Sequence, residues 1–196
     1  MTASLRGLLT LGLLAVTPTV VTAQEADPDP DRGLPLEPAR WAEFTTSEGT
    51  WISLDVSPDG ETSVFDLLGD LYRMPFSGGT ATRLTEGLAH VLQPRVSPDG
   101  ERFGCVSDRS GGDNVGLMPV DGGDPTQLTE GVGSRFVSPT FSRDGAYVFV
   151  SRAAPRQGLE KIWMYHVDGG TGLEVVDGPG ASRMLGSALS PDGLSL

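Results

Sequence analysis

The sequence is poor in basic residues, in cysteine and in long apolar runs, and each shortage narrows the range of functions. Its 14 Lys and Arg residues face 26 Asp and Glu residues, which gives a net charge of −12. A chain this acidic repels a phosphate backbone, so we expect no nucleic-acid partner. Its single cysteine, Cys105, cannot form an internal disulfide, and the apolar run around it predicts a small buried core residue.

The sequence also lacks the common catalytic and metal-binding motifs. It contains no G-x-S-x-G, P-loop, G-x-G-x-x-G or H-E-x-x-H sequence and no pair of cysteines. Its two histidines, His90 and His166, have no second ligand at metal-binding spacing, so we interpret them as surface or turn residues. Asp108 and Asp113 flank a Gly-rich hairpin and are expected to cap it. We therefore assign no catalytic, cofactor-binding or metal-binding residue.

The amino terminus has the features of a signal peptide. Arg6 precedes an apolar run over residues 7–16, and small residues follow up to Ala23, so residues 1–23 are predicted to be removed on export. A retained membrane anchor is the alternative, but a span needs about 20 apolar residues. Residues 24–40 are rich in Pro and Asp and are expected to form a linker. These features predict a secreted or periplasmic protein with no membrane span after signal removal.

What the sequence does have is glycine, proline and an internal repeat. Its 27 Gly and 15 Pro residues are typical of many tight turns between short strands. The motif Ser-x-Asp-Gly occurs four times, beginning at Ser57, Ser97, Ser142 and Ser190, with spacings of 40, 45 and 48 residues. A Gly-Gly turn follows each of the first three copies, and Leu-Thr-Glu-Gly follows each of the first two. A repeat of this period indicates a solenoid, an array or a propeller.

The apolar residues of the repeats alternate with a period of two, which predicts strands rather than helices. Three and five residues after the turn glycine lie Ser63 and Phe65, Phe103 and Cys105, and Val148 and Val150, and seven residues before the Gly-Gly turn lie Leu71, Val115 and Ile162. Four strands and their turns fill about 40 residues, the size of one propeller blade. We therefore predict an all-β fold, an incomplete β-propeller of four-stranded antiparallel blades over residues 41–196. Three blades (about 50–87, 90–131 and 134–178) are followed by the first strand of a fourth (182–196). Residues 41–46 are predicted to be an outer strand of the last blade of a complete ring, so we interpret the chain as a fragment.

One binding surface is predicted, at the end of the first strand of each blade. The residue directly before each Ser-x-Asp-Gly motif is apolar, and the residue before that is polar in three blades: Asp55, Arg95 and Thr140. Alternation along a strand then directs these three polar side chains toward the central channel, where a peptide or small polar ligand could enter. The alternative is that channel water alone solvates them.

These repeats resemble a known family. Val-Ser-Pro-Asp-Gly, the hairpin at residues 107–114 and Leu-Thr-Glu-Gly are similar to the WD-like repeats of TolB-like β-propellers, over about residues 45–196. Residues 48–72 most resemble the amino-terminal propeller of exported metal-dependent amidohydrolases. Compared with the family pattern, Ser63 replaces a large aliphatic residue and Gly116 replaces an aromatic one, which predicts weaker packing at both positions.

The resemblance implies a function for the chain and for its parent protein. It implies a non-catalytic propeller of a secreted or periplasmic amidohydrolase-like hydrolase, acting in substrate access or protein interaction. A metal would then belong to a domain after Leu196, and this chain itself would bind no cofactor. Two alternatives stay open: a stand-alone TolB-like propeller that binds a peptide or protein partner, and the propeller of a prolyl-oligopeptidase-like serine peptidase.

Overall fold

The computed structural model of the chain describes residues 42–131, 133–155, 159–175, 184–190, 192–193 and 195–196. The expected signal peptide and linker lie outside these residues, as does Trp41, so both assignments remain predictions.

Three four-stranded antiparallel sheets follow one another along the described chain, and no helix occurs in it. The first sheet contains β1 (Leu54–Val56), β2 (Thr62–Leu67), β3 (Asp70–Pro75) and β4 (Thr82–Arg83). The second contains β5 (Val91–Val96), β6 (Arg102–Ser107), β7 (Asn114–Pro119) and β8 (Thr126–Gln127). The third contains β9 (Arg135–Phe141), β10 (Tyr147–Ala153), β11 (Glu160–His166) and β12 (Leu173–Glu174). Each sheet pairs its strands in chain order, which confirms the prediction of an incomplete β-propeller with four-stranded blades.

The Ser-x-Asp-Gly motif forms the turn between the first and second strands of each blade. In the first blade the Ser57 hydroxyl donates to Asp59 Oδ1 over 2.5 Å and accepts from the Thr62 N–H over 2.9 Å. Gly60 completes the turn at φ 75°, a left-handed conformation in which a side chain would be strained. The turns that begin at Ser97 and Ser142 repeat these bonds, so the motif closes the hairpin in all three blades.

Neighbouring blades pack face to face through two apolar clusters. The cluster between the first and second blades consists of Val64, Leu71, Leu84, Val91, Phe103, Cys105 and Met118. The cluster between the second and third blades consists of Val115, Leu128, Phe136, Phe141, Val148, Val150 and Tyr165. Because a strand directs alternate side chains to opposite faces, the middle blade contributes to both clusters. Burial of these side chains is the main force that holds the blades together.

The first blade differs from the other two in which residues it buries. The positions three and five residues after the turn glycine are buried in the second and third blades, as predicted, for example Phe103 and Val148. In the first blade these positions are Ser63 and Phe65, which are only half-buried, whereas Val64 between them is fully buried against the second blade. Neither of the two apolar clusters lies on the face of the sheet that carries Ser63 and Phe65, and the weaker packing expected at Ser63 stays a prediction.

Position 116 has a close neighbour on one side and a cavity on another. A β-carbon at Gly116 would lie 2.8 Å from Cβ of Pro125, so the side chain of the proline just before β8 occupies the space of a side chain at position 116. A cavity of about 90 Å³ remains beside it, lined in part by Gly116, Pro125 and Gln127. Cys105 is fully buried next to this glycine, as predicted, and burial raises the pKa of its thiol to about 12.

The fourth repeat has its turn but no strand among its described residues. The Ser190 hydroxyl donates to Asp192 Oδ1 over 2.5 Å, as in the other blades. Residues 184–190 lie along the third blade, where the Met184 N–H donates to the Glu160 carbonyl over 2.9 Å, but they form no ladder. Residues 42–46 form no strand either, so the predicted outer strand is not present at these positions. A strand needs a neighbour to pair with, and the described chain offers none here.

Candidate functional site

The first strands of the three blades lie side by side. Strands β1, β5 and β9 each form one edge of their sheet, and β5 contacts both β1 and β9. The outer edges are the short strands β4, β8 and β12, all of them exposed. We call β1, β5 and β9 the inner strands, because their mutual contacts place them where the blades converge.

The three residues predicted to line the channel occupy equivalent positions. Asp55, Arg95 and Thr140 are each the penultimate residue of an inner strand, and each is half-buried. The sequence therefore aligned the blades correctly at this point. That these side chains line a channel stays a prediction.

Two of these residues join neighbouring inner strands. Asp55 Oδ2 accepts a hydrogen bond from the Val96 N–H over 2.9 Å, and Arg95 Nη1 donates to the Leu54 carbonyl over 3.1 Å. Each bond runs from the side chain of one blade to the backbone of the other. Asp55 and Arg95 thus fix the spacing of β1 and β5, in addition to any contact with a ligand.

A second set of contacts between blades was not predicted from the sequence. Asp66 is 4% exposed, and its carboxylate accepts two backbone hydrogen bonds: Oδ1 from the Ser53 N–H over 3.0 Å and Oδ2 from the Gln93 N–H over 2.7 Å. Ser53 belongs to the first blade and Gln93 to the second. A single buried carboxylate therefore binds the backbones of two blades.

Gln93 continues this set of contacts to the third blade. Its Oε1 accepts from the Ser138 N–H over 2.7 Å, and both residues have a left-handed backbone, with φ 54° at Gln93 and φ 58° at Ser138. The ladder of each of these inner strands shifts register here, as at a β-bulge, which turns the N–H toward the preceding blade. We call Asp66, Gln93 and Ser138 the inner relay.

The same arrangement recurs at the fourth repeat. Gly186 has φ 75°, and its N–H donates to Ser151 Oγ of the third blade over 3.2 Å. Gln93, Ser138 and Gly186 all lie seven residues before the glycine of their Ser-x-Asp-Gly turn. Proline directly follows Gln93 and Ser138 in the sequence. A proline inside a strand indicates an irregular position such as a bulge.

The polar residues near the histidines have structural roles. His90 and His166 are exposed and lie at strand ends, as predicted. The expected cap by Asp108 is wrong, because Asp108 Oδ1 accepts from the His90 N–H over 2.8 Å and so orders the start of β5. The hairpin is held by Asn114, whose Nδ2 donates to the Gly112 carbonyl over 3.2 Å.

No group of three or more His, Cys, Asp or Glu side chains within the described chain is arranged to hold a metal ion. The part of the chain that the structure describes has no helix with the length and apolarity to cross a membrane.

Comparison with known proteins links this geometry to TolB-like propellers. No family model matches the sequence. An uncharacterized protein from Agrobacterium fabrum is 32% identical over 148 residues, which cover 70% of this chain and 50% of that protein. Tricorn protease homolog 1 from Streptomyces coelicolor is 36% identical over 64 residues, 33% of this chain and 6% of that protein. The chain thus spans half or less of the length of these relatives.

Solved structures give the same result for the fold. A putative TolB from Agrobacterium tumefaciens superposes with a TM-score of 0.59 at 26% identity, covering 72% of this chain and 50% of that one. The solved structures that match this chain include TolB-like propeller proteins and peptidases. Among the latter, a prolyl endopeptidase superposes with a TM-score of 0.52 at 16% identity, covering 67% of this chain and 20% of that one, which is a likeness of fold alone.

Proposed function

We propose that this chain is a non-catalytic binding module whose inner strands take up an extended segment of a peptide or protein partner. The observation that carries the proposal is the side-by-side arrangement of β1, β5 and β9, each with a polar penultimate residue. Inner strands are sheet edges, and an extended peptide can hydrogen-bond to groups presented at such an edge. The similarity to a putative TolB supports the proposal at the level of the fold.

The three penultimate residues differ in how they are available to a partner. Asp55 and Arg95 already bond to neighbouring backbone, so a partner would share these groups. Thr140 has a hydroxyl on the same row of the inner strands and is half-buried. A row with a carboxylate, a guanidinium and a hydroxyl suits a polar peptide segment that has both donors and acceptors.

The location of the protein is part of the same proposal. Export to the periplasm or out of the cell is supported by the predicted signal peptide at residues 1–23. In this proposal the chain binds no cofactor of its own. Any metal in this proposal belongs to another part of the parent protein.

Two further proposals differ in the class of parent protein to which the chain belongs. The resemblance of residues 48–72 to exported amidohydrolases supports a metal-dependent hydrolase. The match to a tricorn protease homolog, and the likeness of fold to a prolyl endopeptidase, support a peptidase in which the propeller restricts substrate access. The reading frame after Leu196 decides between them, because an H-x-H at the start of a barrel indicates the first and G-x-S-x-G the second.

Binding at the inner strands can be tested with peptides selected on the chain from a display library. Amide hydrogen exchange with and without a selected peptide should show protection in β1, β5 and β9. Thr140→Ala should weaken binding, whereas Thr126→Ala, a matched change on the outer strand β8, should leave it unchanged. Protection confined to the outer strands, or equal loss of binding in both variants, would refute the proposal.

A further inference from the structure

A cleft of about 290 Å³ lies between the first and second blades, away from the inner relay. It lies beside the turns that begin at Ser57 and Ser97. Its walls include the side chains of Val96 and Val120, and Asp59, Asp99 and Arg73 also line it. The lining therefore contains both apolar and charged residues.

The internal repeat explains why this cleft exists. In the third blade the residue equivalent to Val96 is Phe141, which is 8% exposed and packs over the second blade. A β-carbon at Gly104 would lie 3.2 Å from Cε2 of Phe141, so the ring fills the space at that junction. At the junction between the first two blades the equivalent pair is Val96 and Val64 instead of Phe141 and Gly104, and a cleft remains beside these two valines.

The charged groups of the cleft are held in fixed positions. Asp59 and Asp99 accept from the hydroxyls of Ser57 and Ser97, each over 2.5 Å, and these bonds hold the pKa of both carboxyls below the usual value. Both carboxylates are therefore ionised near neutral pH.

The cation of the cleft is already paired. Arg73 Nη1 lies 3.3 Å from Asp121 Oδ1 and 3.3 Å from the Val120 carbonyl oxygen. Arg102 also contributes positive charge near Asp99. Arg73 is paired with Asp121, and the two turn carboxylates outnumber the remaining cation, Arg102, so the net charge beside the cleft is negative.

We propose that this cleft binds one basic side chain of a partner, an alkylammonium group of the lysine type. Pockets for drug-sized ligands range from about 300 to 1,000 Å³, so a cleft at the lower end of that range suits a single side chain. The aliphatic stem would pack along Val96 and Val120 while the ammonium approaches Asp59 and Asp99. The net charge of −12 favours a basic partner over long range as well. The proposal does not depend on peptide binding at the inner strands.

The test is a titration of the full 196-residue chain with n-butylammonium chloride, followed by amide proton–nitrogen correlation spectra. We expect saturable shifts at Gly60, Gly100 and Phe103, with a dissociation constant on the order of 1 mM because exposed charge pairs bind weakly. Neither n-butanol nor sodium butyrate at the same ionic strength should produce them. Equal shifts with butanol, or no saturable shifts with butylammonium, would overturn the proposal.

A matched pair of variants and a third variant show whether the cleft itself is responsible. Asp99→Asn keeps a turn acceptor but removes a charge, and should weaken binding about three- to tenfold. Asp144→Asn makes the same change in the third turn, outside the cleft, and should not alter the affinity. Val96→Phe, which puts a ring where the valine lines the cleft, should abolish the shifts. If that variant does not fold, the Asp99 and Asp144 pair decides, and an equal effect of both would contradict the proposal.

Discussion

Replacement of Asp66 by alanine should destabilise the chain more than any surface change, because it removes the acceptor for two backbone N–H groups. These belong to Ser53 and Gln93, at 3.0 and 2.7 Å from the carboxylate. A buried donor left without a partner costs about 1–3 kcal/mol. Two such donors, less the desolvation cost that the carboxylate no longer bears, give an expected loss of about 2–4 kcal/mol in the free energy of unfolding.

Urea unfolding followed by far-ultraviolet circular dichroism measures this loss, and amide hydrogen exchange locates it. The Ser53 and Gln93 amides should exchange faster in the variant, while amides of the third blade away from the relay should change less. The matched control is Asp121→Ala, which removes an exposed carboxylate in a surface ion pair and should cost less than about 1 kcal/mol. A loss below about 0.5 kcal/mol for Asp66→Ala would show that the relay does not hold the blades, and would refute the reasoning.

Further outcomes follow from single residues. Ser138→Gly should change the free energy of unfolding by less than about 1 kcal/mol, because relief of the left-handed strain offsets the added chain entropy; urea unfolding checks this, and a larger loss would contradict it. Gly116→Ala should lower the urea midpoint, since its β-carbon would lie 2.8 Å from a neighbouring carbon; an unchanged midpoint would argue against this packing. Cys105 should resist labelling by a thiol reagent at pH 8 in the folded chain and react only after unfolding, because burial raises its pKa to about 12; prompt labelling of the folded chain would disagree. The Ser142 hydroxyl lowers the pKa of Asp144 below 3.8, so its contribution to stability is present above about pH 4 and is lost as the pH falls through the lowered pKa; the urea midpoint should be lower at pH 3 than at pH 5, and Ser142→Ala should reduce that difference.

The fold could be predicted because the repeat fixes several local features at once. Each Ser-x-Asp-Gly motif needs a turn glycine with positive φ, and the period-two pattern on either side needs strands. The position of Leu71 and its equivalents was predicted correctly for the same reason, since Leu71 and Val115 face a neighbouring blade and Ile162 is also buried. Agreement between turn chemistry and apolar pattern is what made the blade recognisable.

The contacts between blades could not be predicted in the same way. Gln93 and Ser138 adopt left-handed backbones, which polar residues other than glycine adopt only occasionally, and nothing in their own side chains requires it. Asp66 is an acidic residue at a strand position where its equivalents are Val106 and Ser151, so the repeat gave no consistent pattern there. Ser63 and Phe65 are less buried than their equivalents in the other blades, because the burial of a strand residue depends on a neighbouring blade as well as on the strand itself.

The most direct test of the whole account is a set of nuclear Overhauser contacts between side chains of adjacent blades in the folded chain. Four-stranded wedges packed side by side predict contacts from the Val64 methyl groups to the cluster that contains Phe103. They also predict contacts from the Phe141 ring to the α-protons of Gly104. Contacts confined to pairs within one repeat, with none between repeats, would contradict the propeller arrangement.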